Sequence, residues 1–301
     1  MAEEKDAVKL KRTKQNRVRK MKSFIVSFVI IALFVSLVCN VILVISMLNF
    51  NVRLKKVEES KLNRTYTANK SDIGTLTLSD SGTGEANLAN PNDTLKVYLT
   101  FDDGPSKNTS RILDILDDYG VKATFFVNGR KGDKATAMYK RIVKEGHTIG
   151  MHSYSHKYED VYASLSSFKN DYQKIHDLIQ KKTGVDCKLY RFPGGSSNKV
   201  SGQDMTYFID FLNKNNIKYF DWNISSGDAT SKAYTSDELI ENVMNDVVKY
   251  KTSVVLLHDA ADKDKTVEAL PKLIESLQSK GAIIIPISDD TDLIQHVTLQ
   301  N

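Results

Sequence analysis

Two carboxylates stand side by side at Asp102-Asp103, directly after an apolar run and directly before Gly104-Pro105. Two histidines sit four residues apart in His152-Ser-Tyr-Ser-His156, and Arg191 opens the run Arg-Phe-Pro-Gly194-Gly195. The only tryptophan, Trp222, precedes Asp228 by six residues, and Leu256-Leu-His258-Asp259 closes another apolar run. Imidazoles four apart reach one cation from one helical face or across one turn, and a carboxylate can complete a three-ligand set. A second carboxylate next to that set can accept a proton from water, and a histidine held by an acid can return one. The chemistry these types offer together is metal-assisted hydrolysis. Taken singly, each has a plainer explanation. Asp-Asp-Gly-Pro is turn chemistry, a histidine after a strand is usually a hydrogen-bonded core residue, Arg191 could sit in a structural ion pair, and Trp222 could be packing. What favours a site is their joint recurrence at the ends of successive apolar runs, which takes the single Trp and three of the six His. His147, His176 and His296 lack such company and read as structural or surface residues.

The elements that must position these residues alternate. Short β-rich apolar runs fall at 96–101, 123–128, 147–151, 188–192, 217–223, 253–258 and 282–287. Between them lie amphipathic stretches at 110–119, 167–182, 239–250 and 267–279, the first of which Gly120 stops. Seven strands separated by helices predict an α/β domain with a parallel sheet, either open or closed into a barrel. In both cases ligands gather at the C-terminal ends of the strands, where the candidate residues stand.

The 301-residue chain carries a formal charge of +5, with 41% apolar and 26% charged residues, which excludes a wholly disordered protein. The charge is concentrated: residues 1–22 hold nine basic and three acidic side chains, a balance of +6, which leaves −1 for the rest. Residues 24–48 form 25 consecutive positions without a formal charge. At 1.5 Å per residue that helix is about 37 Å long, enough to cross a hydrocarbon core of about 30 Å with some tilt. A cleaved signal peptide has a shorter apolar region and a small-residue cleavage site, so an uncleaved transmembrane helix over 23–49 is the expectation. Its basic flank, a cytoplasmic tail over 1–22, orients the remainder outside the cell membrane and touches lipid headgroups; it does not bind nucleic acid. Residues 50–93 turn rich in Ser, Thr, Gly, Asn and Asp and read as an extracytoplasmic stalk, and the working domain occupies 94–301. The two cysteines, Cys39 in the span and Cys187 in the domain, exclude a disulfide framework and a cysteine zinc finger.

Over residues 95–288 the ordered set Thr-Phe-Asp-Asp-Gly-Pro, His-Ser-x-Ser-His, Arg-Phe-Pro-Gly-Gly, the Trp222 segment and Leu-Leu-His-Asp resembles the polysaccharide deacetylase family, carbohydrate esterase family four. The resemblance implies a distorted (β/α) barrel of about seven parallel strands and a divalent metal held by Asp103, His152 and His156. Zinc is the expected ion, with cobalt or another first-row ion as alternatives. By the same resemblance Asp102 is the base, His258 the acid, Arg191 the residue that orients the base and Asp228 the partner of His258. Trp222 and Leu256 wall the acetyl pocket, and a backbone N–H near Gly194 meets the oxyanion. Two motifs depart from the family pattern. Gly194 stands where an aromatic is frequent, and Ser225 and Ala229 replace an Asp and a Trp common in the fourth motif. The implied activity is removal of N-acetyl groups from cell-wall glycan, with the N-acetylglucosamine of peptidoglycan as the expected substrate. An O-acetyl esterase and a catalytically silent wall-binding protein are the alternatives.

Overall fold

The computed structural model describes residues 95–299. The tail, the expected span and the stalk therefore lie outside the described residues, and among the described residues no helix is long and apolar enough to cross a membrane.

Eight strands form one parallel sheet: β1 (Lys96–Asp102), β2 (Thr124–Asn128), β3 (Thr148–Ser153), β4 (Leu189–Tyr190), β5 (Lys218–Tyr219), β6 (Ile224–Ser225), β7 (Thr252–His258) and β8 (Ile283–Ile284). Seven helices accompany them: α1 (Thr109–Asp118), α2 (Asp133–Lys144), α3 (Tyr158–Val161), α4 (Leu165–Thr183), α5 (Met205–Lys214), α6 (Ser236–Val247) and α7 (Asp264–Ser279). The strand order is β5-β4-β3-β2-β1-β7-β6, with β8 also paired to the start of β1. Central β1 is exposed only at Lys96, and the six residues after it are buried. Covered on both faces, it reads as a continuous apolar run without alternation.

The expected seventh-part division of the barrel is corrected at one place. The run 217–223 is not one strand. Lys218 and Tyr219 pair with β4 at one edge of the sheet, and Ile224 and Ser225 pair with β7 at the other. No ladder joins β5 to β6 among the described residues. The chain crosses between the edges, and the backbone carbonyls exposed by the crossing are taken up elsewhere. Arg191 Nε donates to Phe220 O at 3.0 Å and its Nη2 to Asp221 O at 2.9 Å. The curled sheet thus stays open between β5 and β6 among the described residues, and a buried guanidinium, in place of a strand ladder, satisfies these carbonyls.

Helix ends follow local chemistry. Ser164 accepts from Ser167 N to start α4, which stops at Gly184 with φ 81°. Thr235 and Glu238 form a reciprocal capping box at the start of α6. The four helices expected from periodicity are present within three residues at each end; α2, α3 and α5 are additional.

Candidate active site

The parallel register of β1 and β7 sets Asp102 directly beside His258, so a carboxylate and an imidazole come from adjacent positions of the ladder. Consecutive residues of a strand point to opposite faces, which would separate Asp102 from Asp103. Asp103 escapes this by taking a left-handed backbone, φ 75°, just past the strand end. Its carboxylate then lies within 3.7 Å of His152 Nε2 and 3.1 Å of His156 Nε2, while Asp102 Oδ2 is 3.9 Å from the same His152 nitrogen. His156 is also left-handed, φ 54°. Such conformations are uncommon for residues with a side chain and persist where surrounding bonds impose them. Here Asn128 Nδ2 donates to Asp103 Oδ1 at 3.0 Å, and His156 N donates to Ser153 Oγ at 2.8 Å.

Asp103, His152 and His156 each offer a ligand atom within 4.8 Å of the others, as one divalent cation requires. The protonation chemistry agrees. The Arg191 carbonyl, 2.7 Å from His152 Nδ1, can only accept, so Nδ1 carries the hydrogen and Nε2 presents its lone pair to the site. Burial lowers the His152 pKa, keeping the ring in its neutral, ligating form. Burial pushes Asp103 upward, but the neighbouring His152 and His156 outweigh it and hold its carboxyl below the usual range. The donor set therefore fits a divalent metal.

Around this triad the other expected residues converge. Arg191 is fully buried and directs Nη1 at Asp102 Oδ1, 3.0 Å, and at Thr100 Oγ1, 2.6 Å, leaving Asp102 Oδ2 on the His152 side. Opposite, Asp228 grips His258 twice, accepting from ring Nδ1 at 2.8 Å and from the backbone N–H at 2.8 Å; Thr266 Oγ1 donates to it as well, at 2.8 Å. Burial opposes a charge on His258, but the Asp228 hydrogen bond and charge prevail and lift it to about 8. Asp228 itself, despite burial, is lowered by the same partner. With Nδ1 engaged, His258 Nε2 is the free nitrogen. Leu256 lies two residues before His258 on the same face of β7. Trp222 packs over Gly195, where an added Cβ would come within 3.0 Å of the indole, so glycine is required there. The Gly194 N–H has no hydrogen-bond partner among the described residues.

Three carboxylates assigned no role from sequence hold this arrangement. Asp171 on α4 is buried and accepts from Ser153 Oγ, Tyr154 N and Ser155 N at 2.8, 2.8 and 2.9 Å, clamping the loop that carries both histidines. The sequence held a signal for it: Asp171 falls on the apolar stripe of Phe168, Tyr172, Ile175 and Ile179. Asp259 is buried, and burial raises it to about 7; Thr109 Oγ1 and Ser106 Oγ donate to it at 2.6 and 2.9 Å. It lies so close to Gly104 that a Cβ there would be 2.2 Å from its Oδ2. Asp221 is buried and accepts from Ser196 N and His296 N, at 2.8 and 2.7 Å. His296, read from sequence as peripheral, packs edge-on against Trp222 at 5.0 Å and bonds its carbonyl through Nε2 at 2.7 Å. His147 and His176 are structural as expected: His147 Nδ1 accepts from Ala123 N at 3.1 Å, and His176 pairs with Asp186 at 2.8 Å.

Comparison with known proteins identifies the family. Residues 89–208 match the family model described as polysaccharide deacetylase. The Bacillus subtilis candidate polysaccharide deacetylase YheN is 36% identical over 62% of the chain, which spans 64% of that relative's length. A peptidoglycan-N-acetylglucosamine deacetylase of Bacillus cereus is 30% identical over 66% of the chain and 70% of its own length. The solved catalytic domain of peptidoglycan N-acetylglucosamine deacetylase from Eubacterium rectale is 38% identical. It covers 70% of this chain and 96% of its own, with a TM-score of 0.65. The chain belongs to the polysaccharide deacetylase family.

Proposed function

We propose that the protein is a metal-dependent N-deacetylase acting on cell-wall glycan, with the N-acetylglucosamine of peptidoglycan as substrate, and that it works from the outer face of the cell membrane. The observation that carries this reading is the pairing of a proton acceptor and a proton donor across one candidate metal triad. Asp102 Oδ2 is 3.9 Å from His152 Nε2, and His258, the ladder neighbour of Asp102, is lifted to about 8. The substrate is supported by the names of the Bacillus cereus and Eubacterium rectale relatives, and the location by residues 1–49 of the sequence.

Asp103, His152 and His156 would hold the ion, which when bound polarises the acetyl carbonyl and acidifies a water, as an amide requires. Asp102 accepts the proton of the attacking water through Oδ2, because Oδ1 is engaged by Arg191. Arg191 is a positioning residue: its guanidinium fixes the carboxylate and also takes up the carbonyls of Phe220 and Asp221. The Gly194 N–H donates to the oxygen that gains charge at the acetyl carbon. As the C–N bond breaks, His258 Nε2 passes its proton to the sugar nitrogen, leaving acetate and a free amine. Asp228 holds His258 charged before that transfer and keeps the ring oriented through Nδ1. Trp222 and Leu256 line the acetyl side.

The test is acetate release from purified peptidoglycan by the full chain. Asp102→Asn is expected to lower release by about 10²–10⁴-fold, the usual contribution of a positioned acid or base, with metal content unchanged. Undiminished release by this variant would reject the assignment of Asp102. Comparing N- and O-acetylated glycans separates the amidase from an esterase, and glycan binding without release by the unmodified protein would identify a silent wall-binding protein.

A further inference from the structure

Directly after His156, Tyr158 opens the short helix α3 and ends a column of aromatic rings that rises from the core. Phe168 is fully buried and stacks on Tyr162 at 6.5 Å; Tyr162 stacks on Tyr158 at 6.3 Å with ring planes 16° apart. Tyr162 is fixed in turn, donating its hydroxyl to Pro193 O at 2.9 Å, so the column is tied to the loop that carries Gly194. Tyr158 alone of the three is half-buried. Its ring centre lies 5.6 Å from that of His156, and its hydroxyl is 3.5 Å from where a Cβ on Gly194 would stand. A tyrosine hydroxyl both donates and accepts hydrogen bonds. No partner for that hydroxyl is found among the described residues.

A rigid ring with an unused hydroxyl, set between a candidate metal ligand and an unpartnered backbone N–H, is suited to one class of ligand. A pyranose presents C–H faces that pack on aromatic rings and hydroxyls that exchange hydrogen bonds with a phenol. We propose that Tyr158 is a substrate-binding residue: its ring packs against the N-acetylated sugar at the reacting position, and its hydroxyl hydrogen-bonds that sugar. The assignment rests on the deacetylase reading for the identity of the ligand.

Binding of an N-acetylglucosamine tetramer to the detergent-solubilised full chain tests it, in an Asp102→Asn background that spares the ligand, with zinc titration as the companion measurement. Tyr158→Ala is expected to weaken tetramer binding about tenfold and Tyr158→Phe about threefold, in line with the loss of an aromatic contact and of one hydrogen bond. Zinc affinity should be the same in all variants. Unchanged tetramer affinity in Tyr158→Ala would overturn the proposal. So would a fall in zinc affinity matching the fall in tetramer affinity, since Tyr158 would then only support His156. Acetate release by the unmodified protein, measured separately, distinguishes the two readings. Tyr158-dependent binding without release leaves the Tyr158 assignment standing and overturns the deacetylase. Release with binding indifferent to Tyr158 does the reverse. Absence of tetramer binding in the parent overturns the Tyr158 proposal whatever the release.

Discussion

In the proposed reaction, the histidine that donates a proton to the departing amine has to be charged when the bond breaks, and His258 is nearly buried, where charge is disfavoured. Asp228 resolves the conflict with a contact at 2.8 Å to ring Nδ1, and His258 reaches about 8. The sign follows. Acid function is complete well below 8 and declines as pH rises through it, by tenfold per unit beyond. The same shift contributes to stability below the unfolded value of 6.5, and that contribution is lost as pH climbs through about 8. The alkaline limb of kcat/KM should therefore bend near pH 8. In Asp228→Asn, burial is opposed only by the charges of Asp102 and Asp103, so the limb should move down by about one unit and the rate at pH 7 should fall about tenfold. A pH–rate profile of both proteins checks this; an unmoved limb would detach the profile from His258.

The elements contribute by carrying second partners to the loops that bear the site. The loop after β3 has to keep His156 left-handed, and α4 supplies the means, because Asp171 takes three hydrogen bonds from residues 153–155 and Ser153 Oγ passes support to His156 N. Asp171→Asn puts a donor where an acceptor is needed and leaves one of the part-buried N–H groups of Tyr154 and Ser155 unsatisfied. Metal affinity is expected to drop about 10–100-fold, as for other partners of ligand residues, while circular dichroism at 25 °C stays unchanged. Isothermal metal titration reads the first and equal affinities would dismiss the role of α4. The same distinction between loop ends and their supports explains what was legible in sequence. Asp102, Asp103, His152, His156, Arg191, Trp222 and His258 are unusual residue types closing apolar runs, and strand runs and ligand spacings are local. Asp171, Asp221, Asp259 and Asn128 act across 16 to 153 residues of chain, and no local pattern records such a separation. The crossing between β5 and β6 was illegible for a similar reason: 217–223 reads as one aromatic-rich run, and only Arg191, distant in sequence, reveals that its carbonyls are not in a ladder.

At the scale of the whole molecule, the charge distribution bears on how substrate is met. The net +5 is a property of residues 1–22, and the remaining chain is close to neutral at −1. A near-neutral body gives little long-range attraction for an anionic wall polymer, and contacts within the cleft must carry recognition. With the expected span retained, proximity to the wall is supplied by anchoring, so weak diffusional capture is no handicap. Charged surface pairs and long-range fields fade when the Debye length shrinks from about 10 Å at 0.1 M salt to about 3 Å at 1 M, whereas aromatic packing and buried hydrogen bonds do not. Raising sodium chloride from 0.1 to 1 M should accordingly change KM for peptidoglycan by less than about threefold. The protein should sediment with membranes at both salt concentrations, because a 25-residue apolar span does not depend on charge. A KM that rises tenfold or more would place recognition on charge after all, and release from membranes by 1 M salt would show residues 1–22, not 24–48, to be the attachment.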